Sequence, residues 1–450
     1  MKSYDAIIAG GGPAGSTSAL LLARQGFKVV VLEKAKFPRF HIGESILPQN
    51  FPLIQELGLE AELEKLPHLK KYGAEFGMGD DFNTIRFDFD SALIPGSRTF
   101  NIERAHLDKM LLDAARAAGA EVREETSVKQ IVKLTHGDVT VKLDTGEDLH
   151  GRILLDASGH GTLVGRHLGL RKPVEDPNLH KVAYFEHFDH VERGAGDDDG
   201  DPTIFMTTEG WFWIIGLNAT KTSVGFVCHP DLIKKVGVPA NRMLQWAVAR
   251  CPVVRHRMRN ATGVATNEVL ADFSYTCKPV AGDGYFMVGD AGCFLDPIFS
   301  TGVTLAMKSA QQAAKQTAAL LRGQTMPGRA RQEYTDFVTG STAVFWRLIR
   351  NYYQHSFREL FLNGTGPMNV HGAVISVLAG HVFPKPPFAL RWRLWLFYTC
   401  LELNKYLPLV PRRKPFSLLT ATPNALPQIV GAAAAPADGT TAAGNQVAAA

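Results

Sequence analysis

Residues 4–33 read YDAIIAGGGPAGSTSALLLARQGFKVVVLE, and this stretch decides the fold. Asp5–Ala9 is predicted as a buried strand, Gly15–Gln25 as a helix and Lys28–Glu33 as a second strand. The turn between the first strand and the helix satisfies the pattern G-x-G-x-x-G. Strand, helix and strand together form a β-α-β unit, which favours a parallel sheet with helices on its faces.

The glycines of this turn have separate tasks in binding a dinucleotide. Gly10 permits a tight turn, Gly12 lets a pyrophosphate approach the backbone, and Gly15 allows the helix to pack closely on the strand. The helix N-terminus then presents unpaired N–H groups to the phosphates. Glu33 ends the second strand, where a carboxylate accepts hydrogen bonds from ribose hydroxyls. A glycine-rich turn without a ligand is the alternative, but the strand, the spacing and the terminal acid together favour a dinucleotide.

A second strand end, far along the chain, favours FAD over NAD. Tyr285–Ala291 (YFMVGDA) is predicted as a buried strand that ends in Gly-Asp before a helix. The aspartate, Asp290, can bond the ribityl chain of a flavin, and the helix that follows can direct its N-terminus at the isoalloxazine ring. A capped helix after a strand is the alternative. Leu155–Gly159 adds a third strand end, and Arg104 lies on a predicted helix that faces the same site.

Composition argues against several other classes of protein. The 450 residues carry a formal net charge of +4 without a long basic run, so no nucleic-acid partner is expected. The five cysteines are scattered and form no C-x-x-C pair, which fits a reducing cytoplasm and argues against disulfides or a zinc site. No apolar, uncharged stretch reaches about eighteen residues, so no transmembrane helix is expected. The N-terminus is interpreted as a strand and not as a targeting signal.

Changes in composition and hydrophobic pattern along the chain predict an α/β fold in five parts. Residues 1–177 are predicted as the first part of a Rossmann-like FAD-binding domain with a small sheet, and residues 276–328 as its return segment. Residues 178–275 carry strand-like runs and predict an inserted, mostly antiparallel sheet on the substrate side. Residues 329–418 are predicted as a helical region rich in aromatics. Residues 419–450 are mainly Ala, Pro, Thr and Gly, which predicts a disordered tail.

The three strand ends, in this order, resemble flavoproteins of the aromatic hydroxylase superfamily, over roughly residues 4–340. Further motifs are similar to those of flavin-dependent halogenases. Phe37–Ser45 (FPRFHIGES) looks like the segment after the second strand in that family. Lys70–Ala74 (KKYGA) is similar to the segment with their active lysine, which matches Lys71. Phe294–Gly302 (FLDPIFSTG) matches the family pattern F-x-x-P-x-x-S-x-G throughout, and it is the most specific of these signals.

A fourth motif departs from the family pattern. The family carries W-x-W-x-I-P, and here WFWIIG keeps both tryptophans, Trp211 and Trp213, but has Gly216 in place of the proline. In the family the tryptophans separate the flavin from the organic substrate, which discourages direct oxygen transfer. The resemblance therefore implies a flavin shield, while Gly216 is expected to loosen the end of the strand.

The resemblance also implies a halide site and a halogen-delivering lysine. Ser300, Thr301 and Gly302 lie in a turn that opens a helix, where backbone N–H groups can bind an anion or serve an ordinary N-cap. Lys71 would bond hypochlorous acid or form a chloramine, and a pKa lowered by burial would help either role. A solvated surface lysine is the usual alternative, and Lys70 is a rival that the K-x-G-A spacing does not select. The implied FAD contacts are Gly10, Gly12, Pro13, Ala14, Gly15, Glu33, Arg39, Ile42, Gly43, Arg104, Asp290 and Val303.

The residue before the halide turn bears on the substrate. Halogenases of free tryptophan resemble this chain at the turn but carry a glutamate just before the serine, where this chain has Phe299. Without that carboxylate an indole N–H loses a partner, so free tryptophan is disfavoured. Similar enzymes that lack the glutamate act on phenols or pyrroles, some of them tethered to a carrier protein. A small phenolic or pyrrolic substrate is therefore expected.

The resemblance implies a two-component halogenase that uses FADH2, O2 and chloride or bromide to make hypohalous acid. No second G-x-G-x-x-G is present to hold NAD(P)H, so a separate flavin reductase is expected. A cytoplasmic enzyme of secondary metabolism, such as antibiotic biosynthesis, follows as an expectation. Two alternatives stay open: a monooxygenase or prenyl-type reductase of the same superfamily with Lys71 idle, and a flavin-binding protein without turnover. The aromatic C-terminal region is a substrate lid, a packed core or a membrane-surface element.

Overall fold

The structure of the chain, a computed structural model, describes residues 3–94, 98–264, 268–271, 274–363 and 366–424. Its strands are β1 (Ser3–Ala9), β2 (Val29–Leu32), β3 (His68–Lys71), β4 (Gly73–Met78), β5 (Ile85–Asp88), β6 (Thr99–Ile102), β7 (Glu121–Arg123), β8 (Val128–Thr135), β9 (Asp138–Leu143), β10 (Asp148–Asp156), β11 (Arg171–Pro173), β12 (Val182–Asp189), β13 (Thr203–Met206), β14 (Gly210–Gly216), β15 (Lys221–Cys228), β16 (Thr262–Gly263), β17 (Glu268–Ala271), β18 (Tyr275–Cys277), β19 (Ala281–Gly282), β20 (Tyr285–Met287) and β21 (Cys293–Phe294). Its α-helices are α1 (Pro13–Ala23), α2 (Asn50–Glu56), α3 (Glu60–Leu63), α4 (Arg104–Ala117), α5 (Leu163–His167), α6 (Pro230–Val236), α7 (Met243–Arg250), α8 (Pro252–Arg257), α9 (Gly302–Leu321), α10 (Pro327–Tyr352), α11 (His355–Phe361), α12 (Val370–Leu378) and α13 (Phe388–Tyr406).

The first sheet carries the predicted β-α-β unit at its centre. Its main path is β19-β20-β10-β1-β2-β7, with β1 in parallel register with both β2 and β10. Ala6 and Ile8 face an apolar core shared with α1, α4 and α9, whereas Ile7 and Ala9 face a second core shared with β9. Both faces are therefore covered, as parallel sheets require. Helix α1 begins at Pro13, two residues before the predicted start, because proline suits the first helical position.

The second sheet has the order β16-β12-β15-β14-β13-β4-β5, with β17 also paired to β12. Strands β12, β15, β14 and β13 pair antiparallel, as the sequence predicts for this part of the chain. Strands β4 and β5 also lie in this sheet, although they fall within residues 1–177, which the sequence assigned to the FAD-binding domain. Strand β4 pairs in parallel with β13, opposing Glu75 to Thr203. A pairing across so many residues leaves no local pattern to predict it.

Strand β20 forms as predicted, and so does the helix that the turn at Ser300–Gly302 is predicted to open. Gly289–Ala291 forms a single 3₁₀ turn, and the next α-helix, α9, begins only at Gly302. Gly289 has a left-handed φ of +60°, and a Cβ there would lie 3.0 Å from the Ala306 Cα of α9. Because α9 already occupies this space, the chain must turn away and return before a helix can start.

The C-terminal region is helical, as predicted, and mostly buried. Helices α10 to α13 pack on the second sheet in one apolar core that includes Trp211, Phe357 and Phe397. Most of the aromatics here therefore belong to a packed core, although Trp395 remains exposed. Leu418 is buried against the opposite face of the second sheet. Of the predicted tail, residues 425–450 lie outside the described residues.

Two searches of the described ranges gave negative results. None of the helices there is both long and apolar enough to cross a membrane. No group of three or more His, Cys, Asp or Glu side chains in the same ranges is arranged to hold a metal ion.

Candidate active site

A cavity of about 1110 Å³ lies where the first sheet, the second sheet and the start of α9 meet. Its wall contains nearly all of the predicted site residues, drawn from segments almost 300 positions apart. Of the predicted residues, Gly15 and Lys71 alone are not part of that wall. The predicted residues in the wall are Gly10, Gly12, Pro13, Ala14, Glu33, Arg39, Ile42, Gly43, Arg104, Trp211, Trp213, Asp290, Ser300, Thr301, Gly302 and Val303.

The glycine-rich turn fits a dinucleotide in the way that its spacing predicts. Gly10 has a φ of +104°, and a Cβ there would overlap the carbonyl oxygen of Ala157. A Cβ on Gly15 would overlap the carbonyl oxygen of Gly10, so this glycine serves the packing of helix on strand. A Cβ on Gly12, in contrast, meets only Arg39 Nη2 at 3.6 Å. The fold itself requires the first and third glycines, whereas the second leaves the backbone open toward the cavity.

The carboxylate of Glu33 is held at the cavity edge of β2. Its Oε2 accepts a hydrogen bond of 2.7 Å from the Gly11 N–H, and its Oε1 accepts one of 2.9 Å from the Ala35 N–H. Both bonds fix the carboxylate beside the glycine-rich turn, where the ribose of a bound dinucleotide would lie. The residues present therefore fit FAD at its pyrophosphate and ribose.

An arginine pair fastens the segment Phe37–Ser45 across the cavity. Arg104, at the start of α4, donates from Nε to Asp108 Oδ1 at 2.7 Å and from Nη1 to the Ile42 carbonyl at 2.9 Å. Arg39 donates to the other oxygen of the same carboxylate at 3.1 Å. Asp108 is fully buried, so both guanidinium groups are held at fixed positions. Arg39 and Arg104 therefore place two positive charges in the cavity wall, and the single negative charge of Asp108 neutralises only part of them.

Asp290 lies in the cavity wall and follows Gly289, where a Cβ would lie 3.5 Å from the Ala14 Cβ of α1. Burial raises the pKa of its carboxyl group to about 7, and Arg104 acts in the opposite direction. The start of α9, with Thr301 and Val303, lies nearby in the same wall. The surrounding protein does not offset the cost of burying this carboxylate. A hydroxyl group of a ribityl chain would supply a further hydrogen-bond donor to it.

Replacing Asp290 by asparagine is expected to stabilise the FAD-free protein at pH 8. The folded-state pKa of about 7 lies above the ordinary value of 3.8, so the folded protein binds more protons than the unfolded chain between these values. The free energy of unfolding therefore falls as the pH rises through this window. Asp290→Asn should have a higher Tm than wild type at pH 8, and the difference should vanish toward pH 4. A difference that does not change with pH, in thermal unfolding followed by circular dichroism, would contradict this assignment.

The predicted halide turn has the geometry of an open helix start. Ser300 takes a left-handed φ of +54°, and Thr301 precedes α9 without a side-chain hydrogen bond to its first turn. A Cβ on Gly302 would meet no atom within 4 Å. The N-terminus of this helix of 20 residues borders the cavity, with Thr301 and Gly302 in the wall. Such a start suits a small anion.

The two tryptophans of β14 lie side by side in the cavity wall, and the indole N–H of each donates a hydrogen bond. Trp211 Nε1 donates to Tyr353 Oη at 3.1 Å, and Trp213 Nε1 donates to Ser223 Oγ at 3.1 Å. A Cβ on Gly225 of the next strand would overlap the Trp213 indole, so the ring lies flat over that glycine.

Tyr353, at the end of α10, is a site residue that the sequence did not indicate. Its Oη donates to Asp296 Oδ2 at 2.7 Å while accepting from Trp211. Asp296 belongs to the F-x-x-P-x-x-S-x-G motif and also caps the turn that precedes Ser300, accepting from the Ile298 N–H at 3.0 Å. Tyr353 thus links the tryptophan wall to the halide turn. Its only sequence signal was membership of an aromatic-rich region.

Gly216, which replaces the family proline, does not loosen the end of β14 as expected. Its carbonyl accepts a hydrogen bond of 3.0 Å from Asn101 Nδ2, and the strand remains paired through Gly216 to Thr222. A Cβ there would lie 2.8 Å from both Arg193 Nη1 and Leu69 Cδ1. With glycine at this position, the ends of these two side chains pack directly against the strand.

Lys71 ends β3 and is buried, with 2% of its surface exposed. Its Nζ donates to Ser45 Oγ at 3.0 Å and to the Ile46 carbonyl at 3.3 Å, and it lies 5.3 Å from the centre of the Phe89 ring. Burial lowers the pKa of the ammonium group to about 8, with Asp201 acting in the opposite direction. Ser45 is part of the cavity wall, so the ammonium lies directly behind it. Lys70, the rival by one position, is exposed.

Phe299 occupies the position just before the halide turn. Its ring packs edge-on against Tyr352 at 5.5 Å, inside the core shared with the C-terminal helices. The side chain at this position therefore points away from the cavity, and no polar group takes its place in the turn.

Comparisons with known proteins agree with this geometry. A protein-family profile described as "FAD binding domain" matches residues 3–336. A 1H-pyrrole-2-carbonyl-[peptidyl-carrier protein] chlorinase of Pseudomonas fluorescens is 30% identical over 377 residues, covering 78% of this chain and 84% of that protein. The corresponding brominase of Pseudoalteromonas luteoviolacea is 34% identical over 319 residues, covering 70% and 77%. A tryptophan 2-halogenase of Chondromyces crocatus is 31% identical, covering 80% and 69%. The solved structure of a flavin-dependent brominase superposes with a TM-score of 0.78 at 28% identity, covering 89% of this chain and 100% of that one.

Proposed function

Since this chain belongs to the flavin-dependent halogenases, FAD-binding oxidoreductases that use chloride or bromide, we propose that it makes hypohalous acid and delivers electrophilic halogen through Lys71 to a phenolic or pyrrolic substrate. One halide, one O2, one proton and one FADH2, which gives up two electrons and two protons, yield oxidised FAD, hypohalous acid and water. We further propose that a separate flavin reductase supplies the reduced FAD, because the chain has no second G-x-G-x-x-G for a nicotinamide cofactor.

The glycine-rich turn and the fixed cations hold the cofactor. When bound, reduced FAD supplies the electrons that reduce O2. The N-terminus of α1 behind Gly12 receives the pyrophosphate, and Glu33 accepts from the ribose. Arg39 and Arg104, both anchored on Asp108, keep the segment Phe37–Ser45 closed over the site. Water is thereby kept from the part of the cavity where the halide reacts.

The start of α9 holds the halide. Backbone N–H groups after Ser300 face the cavity, and no side chain caps them, so an anion can take their hydrogen bonds. Trp211 and Trp213 stand between this turn and the second sheet, and Tyr353 fixes the first of them. Their indoles keep an organic substrate away from the oxidising centre, which favours halide over substrate as the group that is oxidised.

Lys71 receives the hypohalous acid on the far side of the wall. With a pKa near 8, its ammonium form predominates at neutral pH, and one proton can be donated to the hypohalous oxygen as the halogen departs. The aromatic ring carbon forms a carbon–halogen bond while the oxygen–halogen bond breaks, and the hypohalous oxygen leaves as water with the proton from Lys71. The ring carbon then loses its own proton, which returns to the Lys71 amine. Ser45 Oγ and the Ile46 carbonyl fix the direction of Nζ, so the halogen is delivered from one side.

The proposed substrate is a phenol or a pyrrole, free or tethered to a carrier protein. Phe299 lies in the core, so the residue just before Ser300 offers no carboxylate to the indole N–H of free tryptophan. Two of the similar proteins are described as acting on a pyrrole-2-carbonyl group attached to a peptidyl carrier protein. These descriptions support a pyrrole as the substrate. Because a tryptophan 2-halogenase is also similar to this chain, free tryptophan is the alternative substrate that the assay should include.

The observation that carries the proposal is the buried Lys71 ammonium bonded to a serine of the cavity wall. The test is halide-dependent trapping of hypohalite by monochlorodimedone, with purified protein, chemically reduced FAD, oxygen and bromide. We expect bromination of the trap that rises with bromide and stops without reduced FAD. A panel of phenols and pyrroles should then give halogenated products. Hydroxylated products that do not depend on halide would contradict the proposal and favour a monooxygenase. Rapid oxidation of NADPH by the pure protein would remove the need for a separate reductase.

A further inference from the structure

Glu44 is a buried carboxylate beside the halogenating lysine that the proposed chemistry does not use. It lies in the cavity wall, immediately before Ser45, and only 2% of its surface is exposed. The Glu44 carbonyl accepts a hydrogen bond of 2.9 Å from the Ile102 N–H, which ties its backbone to β6. Ser45 in turn accepts from Lys71 Nζ. Lys71 therefore bonds the side chain of the residue that directly follows Glu44.

His187 of β12 holds one oxygen of this carboxylate. Its Nε2 lies 2.8 Å from Glu44 Oε1, although the two atoms are not aligned as a hydrogen bond. His187 projects from the same face of β12 as Ala183 and Phe185, which are part of the cavity wall. The imidazole thus anchors the carboxylate to the second sheet from the substrate side.

The other oxygen, Glu44 Oε2, is buried and has no hydrogen-bond partner within the part of the chain that the structure describes. A buried carboxylate oxygen without a donor is unfavourable, so such an atom in a cavity wall indicates a missing donor. The Phe40 ring, 49% exposed, lies 5.6 Å from the His187 ring at the same place. Rotation of the exposed Phe40 side chain would open the Glu44–His187 pair toward the cavity.

We propose that Glu44 Oε2 binds the aromatic substrate by accepting a hydrogen bond from its pyrrole N–H or phenol O–H, with His187 as a positioning residue for Oε1. The proposal deepens the proposed function and rests on it for the substrate class. An anionic acceptor on the N–H or O–H raises the electron density of the ring, which favours attack by electrophilic halogen. It also orients the ring next to Ser45, within reach of the group that Lys71 delivers.

The test is equilibrium binding to the FAD-loaded protein, which does not require turnover. The probes are two pairs that differ only in the donor: pyrrole-2-carboxamide with its N-methyl derivative, and phenol with anisole. We expect wild type to bind the donor-bearing member of one pair at least about tenfold more tightly than its methylated partner, because a hydrogen bond to a charged group is lost. Glu44→Met should remove this preference, and Glu44→Gln should restore part of it. Glu186→Gln, one residue before His187 on the opposite face of β12, is the matched control and should keep the preference.

The outcomes separate this proposal from the proposed function. Equal affinity of wild type for both members of each pair, including no measurable affinity for either, overturns the role of Glu44 while leaving the trapping assay to decide on halogenation. A preference that survives in Glu44→Met overturns it as well. Loss of affinity for donor-bearing and methylated probes alike, with FAD binding retained, assigns Glu44 a structural role instead. If the preference behaves as expected but no hypohalite is trapped, Glu44 stands as a substrate ligand and the halogenase chemistry fails.

Discussion

Replacing Lys71 by alanine is expected to lower halogenation of an organic substrate by at least about a hundredfold. The substitution removes the ammonium that lies behind Ser45 but touches neither the glycine-rich turn nor the start of α9. Formation of hypohalous acid should therefore continue, and the halide-dependent trapping of free hypohalite should stay within about threefold of wild type. Kinetics with a reactive phenol, beside trapping under the same conditions, measure the two steps separately.

Lys70 offers a matched control for this experiment. It is the neighbouring residue on β3, its side chain is exposed, and it points to the opposite side of the strand. Lys70→Ala should keep both activities. Lys71→Arg should restore little transfer, because a guanidinium group is bulkier and holds its proton far more firmly than a buried amine. If Lys71→Ala lost trapping and transfer together while still binding FAD, Lys71 would serve hypohalite formation and not delivery.

Substitutions in the glycine-rich turn should separate folding from cofactor binding. Gly10→Ala is expected to cost more than about 3 kcal/mol of unfolding free energy, because alanine resists a φ of +104° and its Cβ would overlap a backbone oxygen. The neighbouring sheet cannot yield, since Ala157 follows the buried strand β10. We therefore expect Gly10→Ala to be recovered in low yield and without FAD.

Gly12→Ala is the informative partner of that variant. A Cβ at this position meets only the end of the Arg39 side chain at 3.6 Å, which is an ordinary contact. The fold should be unaffected, with a Tm of the FAD-free protein within a few degrees of wild type. The affinity for FAD should fall by at least about tenfold, because the methyl group occupies the path of the pyrophosphate. Fluorescence titration of FAD and thermal unfolding measure the two effects, and unchanged FAD affinity in Gly12→Ala would place the pyrophosphate elsewhere.

The parts of this fold that follow from local pattern could be predicted to within two residues. Strand β1, helix α1 and strand β2 obey apolar periodicity, and β1 and α1 are followed by Gly10 and Gly26, so neighbouring residues determine them. The site residues quoted in short motifs, from Gly10 to Gly302, also lie together, because each motif carries its own turn chemistry. That these motifs line one cavity was predicted from the resemblance to a family, because the spacing of the motifs alone does not determine it.

What the sequence could not predict depends on contacts between distant segments. The pairing of β4 with β13 and the hydrogen bond of Tyr353 with Trp211 join residues more than 100 positions apart. The close approach of Gly289 to α9, where a Cβ would lie 3.0 Å from the Ala306 Cα, likewise joins distant segments. Gly216 was expected to loosen a strand, yet its carbonyl is held by Asn101 and the strand stays paired there. Glu44 was part of a quoted motif, but only its burial distinguishes it from its neighbours.

The first sheet is built from strands that lie far apart in the sequence, and this has a consequence for synthesis on the ribosome. Strand β1 and the glycine-rich turn leave the exit tunnel first, but their neighbours β10 and β20 end at residues 156 and 287, and α9 begins at residue 302. At typical translation rates the turn waits roughly 15 to 60 seconds for the helix that completes its site. During this interval β1 can pair with β2 and then with β10, but no nascent chain shorter than about two thirds of the protein contains all the segments that line the cavity. FAD can therefore stabilise only chains that have emerged beyond the start of α9, by mass action on the folded state. Yield in a heterologous host should depend on chaperones that shield the early strands more than on the supply of flavin.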